Sequence, residues 1–347
     1  MYRFVNDYSE GAHPNILAAL ERTNMEQTAG YGLDPYSDAA VSLIREKTAS
    51  PTADVHFLMS GTMVNLVSIH AFLRSFEAVI AVSTAHVCEH EASAIEATGH
   101  KVIDLPSPDG KLTPSMIESA LAAHNGTEHM VHPKLVYISN TTEIGTVYTR
   151  KELAELRKCC DVNRLYIYCD GARLASALTT KEGEMPLSDF ASFFDAFTIG
   201  GTKTGLLFGE ALVIRNDALK DNFRCYMKQR GALCAKGRLL GIQYLEILKD
   251  DLYFALGRRS NELALRIRDA FSDTLCRIAC PSPSNQQFFC MPRTWYDALT
   301  QDFAFEPFPA PTDGKDHITI RICTSWATDE AAVERLIAAV EALKKQM

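Results

Sequence analysis

Short apolar segments alternate with helical patterns through most of this chain, and this alternation most limits the folds it can adopt. Amphipathic stretches such as 64–76 and 150–160 lie between the apolar segments. Seven apolar segments have the length, the β-branched and aromatic content and the flanking turns of strands: 54–59, 78–83, 100–105, 134–139, 165–170, 196–200 and 210–214. The alternation predicts an α/β fold with a mostly parallel seven-stranded sheet between helices.

The pattern changes in the last third of the chain. Helical patterns over about 236–272 are followed by strand patterns at 286–292 and 317–324 and by a final amphipathic helix. We therefore expect a large domain over 1–245, which includes the N-terminal segment, and a smaller α+β domain over 246–347.

Composition excludes several classes of partner. The net charge of -8 argues against binding to nucleic acid or to an anionic membrane. No apolar stretch approaches a transmembrane length, and the first residues lack the apolar core of a signal peptide. The ten cysteines have no framework spacing, which indicates reduced thiols and a cytoplasmic location.

Three polar features stand at the ends of predicted strands. Ser60, Gly61 and Thr62 join a strand to a helix, whose first N–H groups favour a phosphate, although a simple helix cap is the better explanation of this turn taken alone. Asp170 ends a buried strand, where a loop acid is the simpler alternative. Lys203 lies in a Gly/Thr turn between two apolar runs, where a lysine can act as an amine nucleophile.

Together these features fit one cofactor. Pyridoxal 5'-phosphate uses a lysine for its aldehyde, a carboxylate for its pyridinium nitrogen and a helix N-terminus for its phosphate. The combination is much more specific than any of its parts, and it explains why a lysine is tolerated between two buried segments.

Motifs along nearly the whole chain resemble those of the threonine aldolase family of pyridoxal-phosphate enzymes, which have the aspartate-aminotransferase fold (fold type I). Five segments carry the resemblance: "VNDYSEGAHPNIL" (5–17), "GYGLDPYSDAAVSLI" (30–44), "SGTMVNL" (60–66), "CDGARL" (169–174) and "TKTG" (202–205). The chain departs from the family pattern at Thr202, at Thr204 and at Thr142 of "SNTTEIG", so its substrate preference can differ.

The resemblance implies a set of site residues. His86 would stack on the cofactor ring, with Glu91 orienting it, and either His86 or His129 would take the proton of the substrate's β-hydroxyl group; His132 is a neighbouring alternative. The catalytic residues would be Lys203, His86, His129 and Asp170. The cofactor would contact Ser60, Gly61, Thr62, His86, Asp170, Arg173, Thr202 and Lys203, and the substrate would contact Asn6, Tyr31, Arg173 and Arg321.

The implied reaction is the cleavage of L-threonine or L-allo-threonine to glycine and acetaldehyde. β-Elimination or amino-group transfer on the same fold is the alternative. The resemblance also implies a homodimer or homotetramer with sites at subunit interfaces, and it places the basic loop 225–238 near the phosphate.

Two hypotheses from other functional classes, a zinc protease and a non-catalytic scaffold, compete with a pyridoxal-phosphate enzyme. "HVCEH" (86–90) fits the His-x-x-Glu-His pattern of inverted zinc proteases, in which His86, Glu89 and His90 would serve a metal. The pattern is short and lacks a third ligand, so we expect no metal. A non-catalytic scaffold is disfavoured because lysine, aspartate and phosphate turn are all retained.

Overall fold

The computed structural model describes residues 1–124, 126–309, 312 and 314–345. Its strands are β1 Tyr2–Arg3, β2 Asp54–Leu58, β3 Glu77–Val82, β4 Val102–Leu105, β5 His132–Ser139, β6 Tyr166–Asp170, β7 Ala196–Gly200, β8 Glu210–Ile214, β9 Arg277–Cys280, β10 Gln286–Pro292, β11 Phe303–Ala304, β12 Glu306–Pro307 and β13 His317–Cys323.

The α-helices of the same residues are α1 Pro14–Arg22, α2 Pro35–Lys47, α3 Gly61–Phe72, α4 His86–Glu89, α5 Pro114–Ala123, α6 Arg150–Asn163, α7 Leu174–Ala177, α8 Leu187–Ser192, α9 Phe223–Gln229, α10 Arg238–Ile247, α11 Leu252–Ala270, α12 Arg293–Leu299 and α13 Glu330–Lys344. Short 3₁₀ turns lie at Glu96–Thr98, Asp217–Leu219 and Lys249–Asp251.

The large sheet has seven strands in the order β2-β8-β7-β6-β5-β3-β4. Each predicted strand is present, with end shifts of up to two residues. β7, β6, β5, β3 and β4 are parallel, whereas β8 runs antiparallel to both β2 and β7. The reversal follows from chain length, because the nine residues 201–209 are too few for a parallel crossover. The predicted α/β class with a mostly parallel sheet is confirmed.

A second, antiparallel sheet has the order β12-β13-β10-β9. Its residues Phe289, Ile320 and Ile322 pack with Leu263 of α11 and Leu336 of α13 in a hydrophobic cluster separate from that of the large sheet. The expected smaller α+β unit in the last third of the chain is therefore present.

The beginning of the chain differs from the expected domain division. β1 pairs in parallel with β11, and Phe4 packs in the cluster of the smaller unit rather than in the large one. Helix α11 contributes Leu256 to the first cluster and Leu263 to the second. The two cores thus share a helix, and the boundary between residues 245 and 246 stays a prediction.

All ten cysteines are unpaired. Within the described ranges, no helix combines the length and the apolar character that crossing a bilayer requires.

Gly171 directly follows Asp170, the last residue of β6. Its N–H donates to the Thr198 hydroxyl at 2.7 Å, and a Cβ atom at this position would lie 2.0 Å from the Thr198 carbonyl oxygen. Only glycine allows β6 and β7 to approach this closely at their carboxyl ends.

We expect Gly171→Ala to destabilise the fold by about 3 kcal/mol, because backbone rather than a flexible side chain must move. The urea midpoint of unfolding measures the loss. Gly11→Ala is the matched control, since no atom lies within 4 Å of its added Cβ. Equal midpoints for the two variants would contradict the steric argument.

Candidate active site

One cavity of about 330 Å³ opens at the carboxyl edge of the parallel strands. Its wall combines the turn after β2, the segments after β3 and β5, the end of β6 and the turn after β7. The polar lining residues are Tyr8, Ser60, Thr62, His86, Glu143, Asp170, Thr202, Lys203 and Glu210. The cavity therefore collects the three strand-end features that the sequence singled out.

The turn before α3 offers an anion site. Ser60 is the N-cap of this helix and accepts from Met63 N at 3.4 Å, and Gly61 and Thr62 form the first turn at the cavity wall. The positive end of the helix dipole and the hydroxyls of Thr62 and Thr202 suit a phosphate group.

Asp170 is held in one orientation by three donors. Its Oδ2 accepts from the Tyr137 hydroxyl at 2.8 Å and from Asn65 Nδ2 at 2.9 Å, and its Oδ1 accepts from Ala172 N at 2.9 Å. The side chain lies at the cavity wall although the residue is only 5% exposed. A carboxylate fixed at this edge is a suitable partner for a protonated ring nitrogen.

Asn65 connects Asp170 to a second acid. Its Nδ2 also donates to Glu91 Oε1 at 2.8 Å, while its Oδ1 accepts from the Tyr168 hydroxyl at 2.9 Å. The amide is fully buried, so each of these bonds is made inside the protein. Asn65 was not predicted as a site residue, although an asparagine within an apolar helix was a signal.

His86 is oriented by Glu91. Its Nδ1 donates to Glu91 Oε1 at 2.7 Å, which leaves Nε2 as the free ring nitrogen. Burial lowers the pKa of His86, but the Glu91 hydrogen bond and the charges of Glu143 and Asp170 outweigh burial and raise that pKa overall. This imidazole at the cavity wall can take up a proton.

Lys203 is the unengaged amine of the cavity. Among the described residues it has no hydrogen-bond or ion-pair partner at contact distance, while Asp7 and Glu210 act on it through longer-range charge. It also lines a smaller neighbouring cavity with Asp7 and Arg173. The amine is therefore available for a covalent bond.

Arg173 lies behind Lys203 in a buried ion pair. Its Nε and Nη2 donate to the two oxygens of Asp7 at 2.7 and 3.1 Å, and its Nη1 lies 3.7 Å from Glu143 Oε2. Asn285 Nδ2 adds a bond to Asp7 at 2.9 Å. Burial alone would raise the pKa of Asp7, but the charges of Arg173 and Lys203 hold it well below its usual range.

The predicted substrate residues Asn6, Tyr31 and Arg321 do not line the cavity. Asn6 Oδ1 accepts from Tyr8 N at 3.0 Å and from Ser9 Oγ, which fixes the local turn. Arg321 pairs with Glu306 and donates to Val5 O at 3.3 Å.

Tyr31 lies at a separate small cavity beside the predicted basic loop. Its ring is half exposed, Lys228 Nζ lies 4.8 Å from the ring centroid, and Arg224 donates to Tyr31 O at 3.0 Å. Within one chain, neither this ring nor the loop 225–238 reaches Lys203.

His129 does not line the cavity, and its predicted role stays a prediction. Its side chain is 83% exposed and lies 3.6 Å from Glu128, and the alternative His132 begins β5. Residues that precede a parallel strand lie at the amino edge of the sheet, opposite the cavity. His86 is therefore the histidine that the fold brings to the site.

Two acids in the cavity were not predicted as site residues. Glu143 follows β5 within "SNTTEIG" and faces Arg173 and His86. Glu210 is the first residue of β8, and the reversal of this strand puts its first residue at the carboxyl edge. A charged residue at the start of an apolar strand was the available signal.

The zinc alternative gains no support. His86 is engaged by Glu91, and in the part of the chain that the structure describes, no group of three or more metal-ligating side chains comes together.

Comparison with known proteins places the chain in a family. The model of a family described as β-eliminating lyase matches residues 8–289. The chain belongs to the β-eliminating lyase family. This membership confirms the expectation of pyridoxal phosphate as the cofactor.

Proteins similar to this chain over nearly its whole length include threonine aldolases. The solved structure of Leishmania major threonine aldolase has a TM-score of 0.96 at 49% identity, with 99% of both chains covered. The low-specificity L-threonine aldolase of a Pseudomonas species is 29% identical over 98% of this chain and 97% of its own. Thermus thermophilus aspartate aminotransferase, at 14% identity and a TM-score of 0.71, shares the fold. The predicted resemblance is confirmed.

We expect borohydride to fix the cofactor covalently on Lys203, because this lysine has a free amine in the cavity that contains the anion site and Asp170. Mass mapping of peptides from the reduced protein identifies the labelled lysine. Lys228→Ala is the control and should keep the label, since Lys228 lies at the separate cavity beside Tyr31. A label on any other lysine would contradict the assignment of Lys203 as the lysine that bonds the cofactor.

Proposed function

We propose that this chain cleaves L-threonine or L-allo-threonine to glycine and acetaldehyde with pyridoxal phosphate. One observation supports the reaction most directly: the His86 imidazole, with its Nδ1 bonded to Glu91, lines the same cavity as Lys203 and Asp170. A base, a nucleophilic amine and a fixed carboxylate are what cleavage of a β-hydroxy-α-amino acid needs. The likeness to the Leishmania enzyme supports the same substrate class.

The residues fit the cofactor as follows. In the proposal, the turn Ser60–Thr62 and the Thr202 hydroxyl hold its phosphate, Lys203 bonds its aldehyde carbon and Asp170 accepts from its ring nitrogen. When bound, pyridoxal phosphate supplies an electron sink for the pair released as the Cα–Cβ bond breaks. Asp170 keeps the ring nitrogen protonated, and its three protein donors hold it there.

Arg173 is the candidate ligand for the substrate carboxylate. Asp7 occupies its Nε and Nη2, so the guanidinium is fixed while Nη1, at 3.7 Å from Glu143, stays available. Arg321 acts on Arg173 only indirectly. Its hydrogen bond to Val5 O anchors the segment that carries Asp7, which is the ion-pair partner of Arg173. In this proposal Arg321 positions the segment, and Arg173 contacts the substrate.

His86 is the proposed base for the β-hydroxyl proton. Glu91 holds the proton on Nδ1, so Nε2 is the accepting atom of the neutral ring. Removing the hydroxyl proton while the Cα–Cβ bond breaks releases the aldehyde, and a proton returned to Cα gives glycine.

Threonine or allo-threonine should yield aldehyde faster than serine, cysteine or tyrosine yields keto acid and ammonia. Separate incubations with each amino acid, assayed for aldehyde, keto acid and ammonia, measure the preference. Keto acid and ammonia without aldehyde would identify an eliminating lyase, the alternative that the family name favours, and would reject the aldolase assignment.

His86→Ala should slow the cleavage by about 100-fold, as expected for loss of a general base. His90→Ala is the matched control, because His90 is exposed and only neighbours the His86 ring. It should cost less than about 3-fold, on the scale of surface substitutions. Equal losses of cleavage rate in the two variants would contradict the assignment of His86 as the general base.

Glu91→Gln should move the acid limb of the kcat/KM profile to lower pH. The Glu91 contact raises the pKa of His86, so its loss lowers that pKa, and the neutral base then persists to lower pH. Initial rates across the pH range, with cofactor absorbance as a check on occupancy, measure the shift. Exposed Glu89 supplies the control Glu89→Gln. An unchanged acid limb in Glu91→Gln would contradict the assignment of this limb to His86.

We further propose a cytoplasmic homodimer or homotetramer with sites at subunit interfaces. The unpaired thiols support the compartment. Tyr31 and the cationic side chains around it, which do not reach Lys203 of their own chain, support a role in a neighbouring subunit. Light scattering measures the oligomeric state.

A further inference from the structure

Glu210 is an acid at an unexpected place in the cavity. It pairs across the sheet with Leu58 of β2, two residues before Ser60, and with Gly200 of β7, three residues before Lys203. The residue is only 4% exposed, yet it lines the same cavity as the Ser60–Thr62 turn. Its carboxyl group therefore lies between the anion site and Lys203.

No described residue neutralises this carboxyl group by contact. Oε2 of Glu210 is buried and has no hydrogen-bond partner in the described structure. Two buried tyrosines pack nearby, but the hydroxyl of Tyr244 donates to Ile199 O at 2.6 Å and that of Tyr253 donates to Gly200 O at 2.9 Å. An ionised carboxylate with one buried oxygen unbonded and no cation in contact is costly, whereas a protonated one is tolerated.

The titratable groups that act on Glu210 come from four elements. They are Asp170 of β6, Lys203 after β7, Tyr244 of α10 and Tyr253 of α11. Burial and then the Asp170 charge raise the pKa of Glu210 to about 8, against the opposing effects of the Lys203 charge, the Thr202 hydroxyl and the Gly201 N–H. The free cavity thus already favours the neutral acid at pH 7.

A bound phosphate would strengthen this preference. A phosphate monoester carries nearly two negative charges at pH 7. At the Ser60–Thr62 turn it would repel an ionised Glu210, whereas a protonated Glu210 presents an O–H donor and no charge.

We propose that Glu210 is a neutral carboxylic acid in the cofactor complex, where its O–H donates to the phosphate, so that cofactor binding takes up a proton at Glu210 whenever this residue starts out ionised. The inference rests on pyridoxal phosphate as the cofactor. It makes the affinity for the cofactor depend on pH through Glu210, separately from any pH dependence of the reaction.

The sign of the pH dependence follows from linkage. A group whose pKa is higher in the complex than in the free protein favours binding at low pH and opposes it above the free pKa. With a free pKa of about 8, affinity should fall about 10-fold between pH 7 and pH 9, since the protonated fraction falls by that factor.

The test measures dissociation constants on folded apoprotein. The probes are pyridoxal phosphate and 4-deoxypyridoxine 5'-phosphate, which lacks the aldehyde and cannot bond to Lys203. Wild type should lose affinity for the second probe about 10-fold from pH 7 to pH 9. Calorimetry at pH 8.5 in buffers of different ionisation enthalpy should show proton uptake.

Glu210→Gln keeps a donor and cannot ionise, so it should bind at pH 7 within about 3-fold of wild type and lose most of the affinity decline at higher pH. Glu210→Ala should bind more weakly than Glu210→Gln at both pH values, with circular dichroism confirming the fold. Parallel pH profiles for wild type and Glu210→Gln, or equal proton uptake, would overturn the proposal while leaving the cofactor assignment intact. Failure of folded wild type to bind pyridoxal phosphate at all would instead reject the proposed function itself.

Discussion

A single buried amide organises the polar edge of this protein. Asn65 donates from one nitrogen to Asp170 and to Glu91, and Glu91 in turn holds His86. Two acids can therefore lie at one buried edge because each accepts hydrogen bonds from neutral or basic donors. The same amide couples the proposed ring-nitrogen partner to the proposed base, so the geometry of one depends on that of the other.

The reversed strand β8 completes the site. Because it runs antiparallel within a mostly parallel sheet, its first residue reaches the edge that its neighbours reach with their last residues. The short turn 201–209 then holds Lys203 and Glu210 at the same edge. A parallel strand in this place would have needed a long crossover and would have put Glu210 at the opposite edge.

The sequence predicted those parts of the structure that depend on local pattern. Apolar runs located the strands, and strand ends located Asp170 and Lys203, because parallel strands end at one edge. By the same rule His129, which precedes its strand, lies at the opposite edge, and only the family resemblance supported it as a site residue. The pairing of Arg173 with Asp7 joins positions 166 residues apart, and no local pattern predicts such a contact.

The pairing of residues 2–7 with distant partners has a consequence for the order of folding. Phe4 O accepts from Cys323 N, β1 lies along Phe303–Ala304, and Asp7 accepts from Asn285. These partners lie roughly 280 to 320 residues further along the chain, so the ribosome synthesises them long after residues 2–7. Residues 2–7 therefore cannot dock until these partners have been synthesised, and the buried ion pair of Arg173 with Asp7 is complete only when Asn285 is available.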